Sequence, residues 1–219
     1  MKSPRIALIH ATPLAVEPIT NAFRRLWPEA RITNLLEDSL APDLAAAGQL
    51  QPEMIERFQT LSRYVHGCGA DAILFTCSAF GPAIEAVAST LPIPVLKPNE
   101  AMLDAALAVG HTIGLLATFE PSIPALRTEL EIMATAQERA IHIVPVAIPD
   151  ALIAIQQGNA ALHDQLIANA ATTLTQCDVL VLGQFSMASA ARLIPARPDC
   201  KVLTSPDSAV QRLKDLFKP

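Results

Sequence analysis

Apolar residues in this chain come in short, nearly unbroken runs set between stretches of helical spacing. Residues 5–9, 72–75, 94–96, 112–117, 141–146, 179–182 and 201–203 are mostly Ile, Leu, Val and Ala, the pattern of strands buried on both faces. Residues 30–35 make a further strand. Between them, 16–26, 52–68, 82–90, 122–137, 160–176, 188–194 and 208–217 place apolar residues on one side of a helix. In 52–68 the stripe is Met54, Ile55, Phe58, Leu61 and Val65, and Gly67 and Gly69 end it. Residues 42–50 read as loop with helical turns, and 99–109 as a bridging helix. Strands alternating with helices predict an α/β protein with parallel sheets and right-handed crossovers.

The pattern also repeats. Asp71 to Phe80 (DAILFTCSAF) and Asp178 to Met187 (DVLVLGQFSM) each run from an acid through an apolar segment into a loop of small residues, 107 positions apart. The same offset lays Ile6 on Ile113 and Val95 on Val202. Three strand candidates at one offset imply two similar lobes from a duplicated unit. We therefore expect two pseudo-symmetric lobes, each a short parallel sheet flanked by helices in a flavodoxin-like, three-layer arrangement. The boundaries are 1–98 with the C-terminal helix 207–219 for the first lobe, and 99–206 for the second. The two terminal helices are expected to swap, each packing on the lobe it did not start from.

Composition narrows the partners. Half of the 219 residues are apolar and the net charge is −5, so no basic stripe is available for nucleic acid. No apolar stretch reaches the ~18–20 residues that span a bilayer. The N-terminal segment, Met1 to Arg5, runs into a strand without a cleavage-site pattern, so a soluble cytoplasmic protein is expected. The four cysteines (68, 77, 177 and 200) lack metal-ligand spacing, so no metal and no disulfide framework is expected. The alanine-rich helices leave a homodimer as a reasonable expectation.

Prolines cluster just after strands (Pro13, Pro82, Pro98, Pro121, Pro206), where they start helices on the carboxyl edge of each sheet. In open α/β sheets that edge binds ligands. Cys77 lies there, between a strand end and a helix start, where N–H groups and the helix dipole are expected to lower its pKa. An inert buried cysteine is the alternative. His10 ends the first strand and is expected to share the Cys77 crevice, taking or polarising the thiol proton, unless it is a structural histidine. Thr12, Thr76, Ser78 and Ala79 around it are candidate substrate contacts. In the second lobe Thr118, Gln184, Phe185 and Ser186 hold the matching positions; Thr118 or Ser122 is equally a helix cap. Gln184 stands where the offset requires the partner of Cys77, and an amide transfers no proton near neutrality.

Duplicated lobes with Thr76-Cys77-Ser78 after an apolar strand resemble the aspartate/glutamate/hydantoin racemase superfamily. The resemblance rests on residues 73–80, 92–101, 113–121 and 179–187. It implies an active site in the cleft between lobes and cofactor-independent proton transfer at the carbon next to a carboxylate. Two facing cysteines would carry that transfer, with Cys77 matching the first and Thr76, Ser78, Thr118 and Ser186 in carboxylate-binding loops. His10 stands where the glutamate racemase branch has an acidic partner. Where the second cysteine belongs, this chain has Gly183-Gln184-Phe185. The implied function is an isomerase of small carboxylates with one catalytic thiol. A decarboxylase acting on a malonate-like acid, or a non-catalytic binder of small acids, are the alternatives.

Overall fold

The computed structural model describes residues 3–218; Met1 and Lys2 of the N-terminal segment and Pro219 of the C-terminal span lie outside them. The chain divides into two compact units, residues 1–98 with 209–219 and residues 99–208. In the first, strands β1 (Arg5–His10), β2 (Arg31–Leu36), β3 (Ala72–Phe75) and β4 (Val95–Leu96) form a parallel sheet in the order β2-β1-β3-β4. Helices α1 (Val16–Leu26), α2 (Leu40–Ala47), α3 (Pro52–Gly67) and α4 (Gly81–Ala88) belong to this unit. The second unit holds α5 (Glu100–Val109), β5 (Thr112–Ala117), α6 (Ile123–Ala136), β6 (His142–Ala147), α7 (Pro149–Gln156), α8 (Ala160–Thr172), β7 (Val179–Leu182) and β8 (Lys201–Thr204). Its sheet runs β6-β5-β7-β8, again parallel. Helix α9 (Ser205–Leu216) leaves β8 and enters the first unit at Ala209.

The central strands are apolar because both faces are covered. In the first unit Ala7, Ile9, Ile73 and Phe75 pack with Leu40 of α2, Met54, Phe58 and Val65 of α3, and Ala83, Ile84 and Val87 of α4. Phe58 stacks on Phe75 at 5.0 Å and meets Phe80 at 4.8 Å. α1 and α9 join through rings, Phe23 on Trp27 and Trp27 on Phe217, and through Lys214 Nζ, which donates to the Leu26 carbonyl at 2.8 Å. In the second unit α5 and α6 cover one face, on Ile113, Leu115, Val179 and Val181. α7 and α8 cover the other, on Leu116, Leu180 and Leu182. That is a three-layer arrangement. No helix among the described residues is long and apolar enough to cross a membrane.

The repeat is exact in register where it matters. β1 meets β3 at Ile6–Ala72, and β5 meets β7 at Ile113–Val179, both shifted by 107. The outer strands β2 and β6 correspond at an offset of 111 (Arg31 to His142), so a four-residue difference falls before them. The repeated acids have a shared duty at the opposite edge. Asp71 accepts from the Arg5 N–H at 2.7 Å, and Asp178 accepts from the N–H groups of His111 and Thr112 at 2.8 Å. Those two hydrogen bonds hold the Asp178 carboxyl below the usual carboxylate range.

Three elements differ from the pattern reading. Residues 42–50, read as loop with helical turns, contain most of a regular helix, α2, which ends at Gly48 in the left-handed region (φ 72°). α7 was not expected, because its eight residues are apolar nearly all round and show no stripe. The short helix expected at 188–194 is a nine-residue 3-10 helix, Phe185–Leu193. It begins at the first residue after Gln184.

Candidate active site

On the carboxyl edge of the first sheet, three polar side chains form one chain of hydrogen bonds. His10 ends β1 and is fully buried; its Nδ1 lies 2.8 Å from Thr76 Oγ1 and its Nε2 3.0 Å from Asn34 Oδ1. Asn34 reaches His10 because it sits on β2 two residues before Leu36, the ladder partner of His10, and so on the same face. Burial pushes the His10 pKa down, against the opposing pull of Asn34, so the ring is neutral. Asn34 offers an oxygen, which fixes the proton on Nε2. Nδ1 is then an acceptor and the Thr76 hydroxyl donates to it. Asn34 carried no motif in the sequence; only strand pairing reveals it.

Cys77 follows directly, half-buried, with the Phe58, Phe75 and Phe80 cluster beneath its loop. With Ile9, His10, Ala11, Leu40, Phe58 and Phe75 it lines a narrow crevice. The expected lowering of its pKa is corrected here. Burial against this apolar wall pushes the thiol up, and the Ala79 N–H, which favours the thiolate, opposes it less strongly. At neutral pH Cys77 carries its proton. The expected contact with His10 is also revised. Both residues line the crevice, but both imidazole nitrogens are occupied by Thr76 and Asn34, so the ring cannot take the thiol proton.

The second unit uses the same edge differently. Gln184 Oε1 accepts from both the N–H and the Oγ1 of Thr118, each at 2.7 Å, and Thr118 is 1 % exposed. The Gln184 carbonyl is thus turned inward, and its NH2 remains as a donor. Neither Thr118 nor Ser122 caps α6: Ser122 Oγ donates to the Phe119 carbonyl at 2.7 Å. Phe185 is buried and Ser186 half-buried on the first turn of the 3-10 helix.

Position by position, the units trade their polar pairs. His10 and Thr76 correspond to Ala117 and Gly183, and Ala11 and Cys77 correspond to Thr118 and Gln184. Asn34, placed by Leu8–Asn34 and Leu115–Pro145 pairing, corresponds to Pro145. Gly183 has no room for more: a Cβ there would lie 2.8 Å from Leu126 Cδ1 and 3.1 Å from the Leu116 carbonyl oxygen.

Of the other candidates, Thr12 accepts weakly from the Leu14 N–H (3.4 Å) at the start of a 3-10 turn, Ser78 is half-buried and Ala79 exposed. The hydroxyls of Thr76 and Thr118 point to protein acceptors, which leaves Thr12, Ser78, Ser186 and the Gln184 NH2 as the side-chain donors of these loops. Among the described residues no group of three or more His, Cys, Asp or Glu is arranged to hold a metal ion. A buried cluster missed in the sequence lies in the second unit. Asp164 accepts from Ser189 Oγ at 2.6 Å and meets His163 Nδ1 at 3.0 Å and Arg192 Nη2 at 3.3 Å. It ties α8 to the 3-10 helix.

Comparison with known proteins agrees with this architecture. A family model described as Asp/Glu/Hydantoin racemase matches residues 12–213. No curated protein matches the chain by sequence. Among solved structures, aspartate racemase of Picrophilus torridus superposes with a TM-score of 0.72 at 12% identity, covering 98% of this chain and 94% of that one. Allantoin racemase from Klebsiella pneumoniae gives 0.72 at 18%, covering 98% and 87%. Glutamate racemase RacE1 from Bacillus anthracis gives 0.67 at 17%, covering 99% and 82%. These identities establish a shared fold.

Proposed function

The chain belongs to the Asp/Glu/hydantoin racemase family, and on that premise we propose a cofactor-independent isomerase that moves one proton at the carbon next to a carboxylate through a single thiol, Cys77. The observation that carries this reading is the asymmetry of two equivalent strand-end loops: a thiol at Cys77 and, at its counterpart, an amide whose carbonyl is bound to Thr118.

The chemistry follows from the groups present. Removing an α-proton requires the thiolate, so the raised Cys77 pKa makes the base form scarce at neutral pH and more abundant as pH rises. Once the carbanion forms, the same group holds the proton it has just taken and returns it. Gln184 has no proton to exchange at these pH values. The proton delivered to the opposite face then comes from water, while the thiol can trade its proton with water before returning one to the original face, so exchange with solvent outruns inversion. We assign Ser78 to substrate binding beside Cys77 in the first unit, and Ser186 with the Gln184 NH2 as the corresponding donors of the second. Thr76 and His10 shape the Cys77 loop.

The test is a proton–deuterium exchange screen over small amino acids, hydantoins and malonates, reading exchange, inversion and carbon dioxide release together. Wild type should exchange the α-proton of at least one compound faster than it inverts it. Cys77→Ser should lose about 10²–10⁴-fold. Gln184→Cys should raise inversion relative to exchange. Full-rate exchange in Cys77→Ser would overturn the mechanism, and release of carbon dioxide from a malonate without α-proton exchange would replace it with a lyase.

A further inference from the structure

Resting on the single-thiol reading for its catalytic consequence, we propose that Asn34 is a positioning residue acting through His10 and Thr76: it holds the imidazole as the Nε2–H tautomer and so fixes the loop that presents Cys77. Three elements meet in this network, β2 through Asn34, β1 through His10 and the loop after β3 through Thr76. Asn34 presents an oxygen to Nε2, which leaves Nδ1 free to accept only from Thr76. Thr76 is 6 % exposed, and its backbone N–H also bonds the Ile9 carbonyl at 3.1 Å. Side chain and backbone of the residue before Cys77 are therefore both held to β1.

The second unit supplies the independent argument. It builds the same sheet in the same register with Pro145, Ala117 and Gly183 at the three positions. All three polar groups are absent together, and Gly183 has no space for a hydroxyl-bearing side chain. The network is thus not needed to make the fold. It occurs only in the unit whose loop carries the thiol.

The crevice that His10 and Cys77 both line is otherwise walled by Ile9, Ala11, Leu40 of α2, Phe58 of α3 and Phe75 of β3. The nearest charged pair along the backbone is Glu37 with Arg57; the Glu37 N–H donates to the His10 carbonyl at 3.0 Å, and its carboxylate is bound to Arg57 and Ser39. Asn34 is therefore the group that decides which nitrogen of His10 is protonated. Replacing it with Asp would set a carboxylate against Nε2–H, favour the imidazolium and put a second proton on Nδ1. Thr76 Oγ1 would then accept instead of donate.

Nitrogen-15 NMR of the full-length, histidine-labelled protein tests this without any substrate, with His10 assigned by its loss in His10→Gln. The wild-type signal should be that of the Nε2–H tautomer at about pH 7.5, and it should titrate below the reference His value. In Asn34→Asp it should titrate at higher pH than in wild type, and Cys77 should react with iodoacetamide about threefold faster at pH 6.5, read on its own peptide by mass spectrometry. A wild-type Nδ1–H tautomer, or an Asn34→Asp signal unchanged from wild type, would overturn the assignment. With an exchange substrate in hand, Asn34→Ala should lower kcat about tenfold while KM moves less than about twofold, and Thr76→Ser should retain most activity. A scrambled tautomer with kcat unchanged would reduce the network to a structural one and defeat the proposal. Should Asn34→Ala not fold, the wild-type tautomer still decides. If no compound exchanges, the single-thiol reading fails while the tautomer result stands.

Discussion

Thr118 depends on one acceptor atom for both its donors. Gln184→Ala would leave a buried N–H and O–H without a partner, a loss of about 1–3 kcal/mol. The urea midpoint should fall accordingly, and Gln184→Glu, which keeps the oxygen, should fall less. Cys77 makes a pH prediction. Its pKa is raised from a reference of 9.0, so its alkylation rate should still be climbing above pH 9. His10 makes another. Its folded pKa lies below the reference of 6.5, so between the two values the unfolded chain binds the proton and the folded one does not. Stability should hold above pH 6.5 and fall as pH drops below it, and His10→Gln should flatten that fall in urea melts. Cys77 and His10 were legible as candidates because strand ends are visible as the limits of apolar runs. Their protonation was not, because burial and partners belong to the folded environment; the helix-start argument pointed Cys77 the wrong way.

The strands and long helices were readable because each buries a continuous run or a regular stripe. α2 and α7 were not, since eight mostly apolar residues satisfy no single period, and the 3-10 geometry of Phe185–Leu193 has no composition signature. Close approach between elements was equally hidden. At Gly114 a Cβ would lie 2.6 Å from Leu180 Cδ2 and 2.9 Å from Leu174 Cδ1, and at Gly183 it would meet the Leu116 carbonyl. Gly114→Ala and Gly183→Ala should each destabilise by about 1–3 kcal/mol, read as a lower melting temperature. The Gly183 change should also perturb Gln184, while Gly158→Ala, where a Cβ meets nothing, should be limited to its backbone cost at φ 79°.

At the scale of the molecule, α9 contributes to the unit that contains β1, although it follows β8 in the chain. Leu213 is fully buried, and Trp27–Phe217 and Lys214 with the Leu26 carbonyl lie nearby in α9 and its end. Leu213→Ala should cost about 2–5 kcal/mol, and amide exchange should speed first in α1 and β1, leaving the α6 and α8 peptides of the second unit slower to change. The amino-acid sequence alone determined the two-fold repeat, the parallel α/β class and the loop positions of Cys77 and Gln184. It did so because burial on both faces writes apolar runs into the chain and duplication keeps their spacing. Only the tertiary structure joined Asn34 to His10 and Thr76, turned the Gln184 carbonyl onto Thr118 and raised the Cys77 pKa. Hydrogen bonds across strands and the desolvation of a thiol depend on residues tens of positions apart, and no local pattern records which of them will meet.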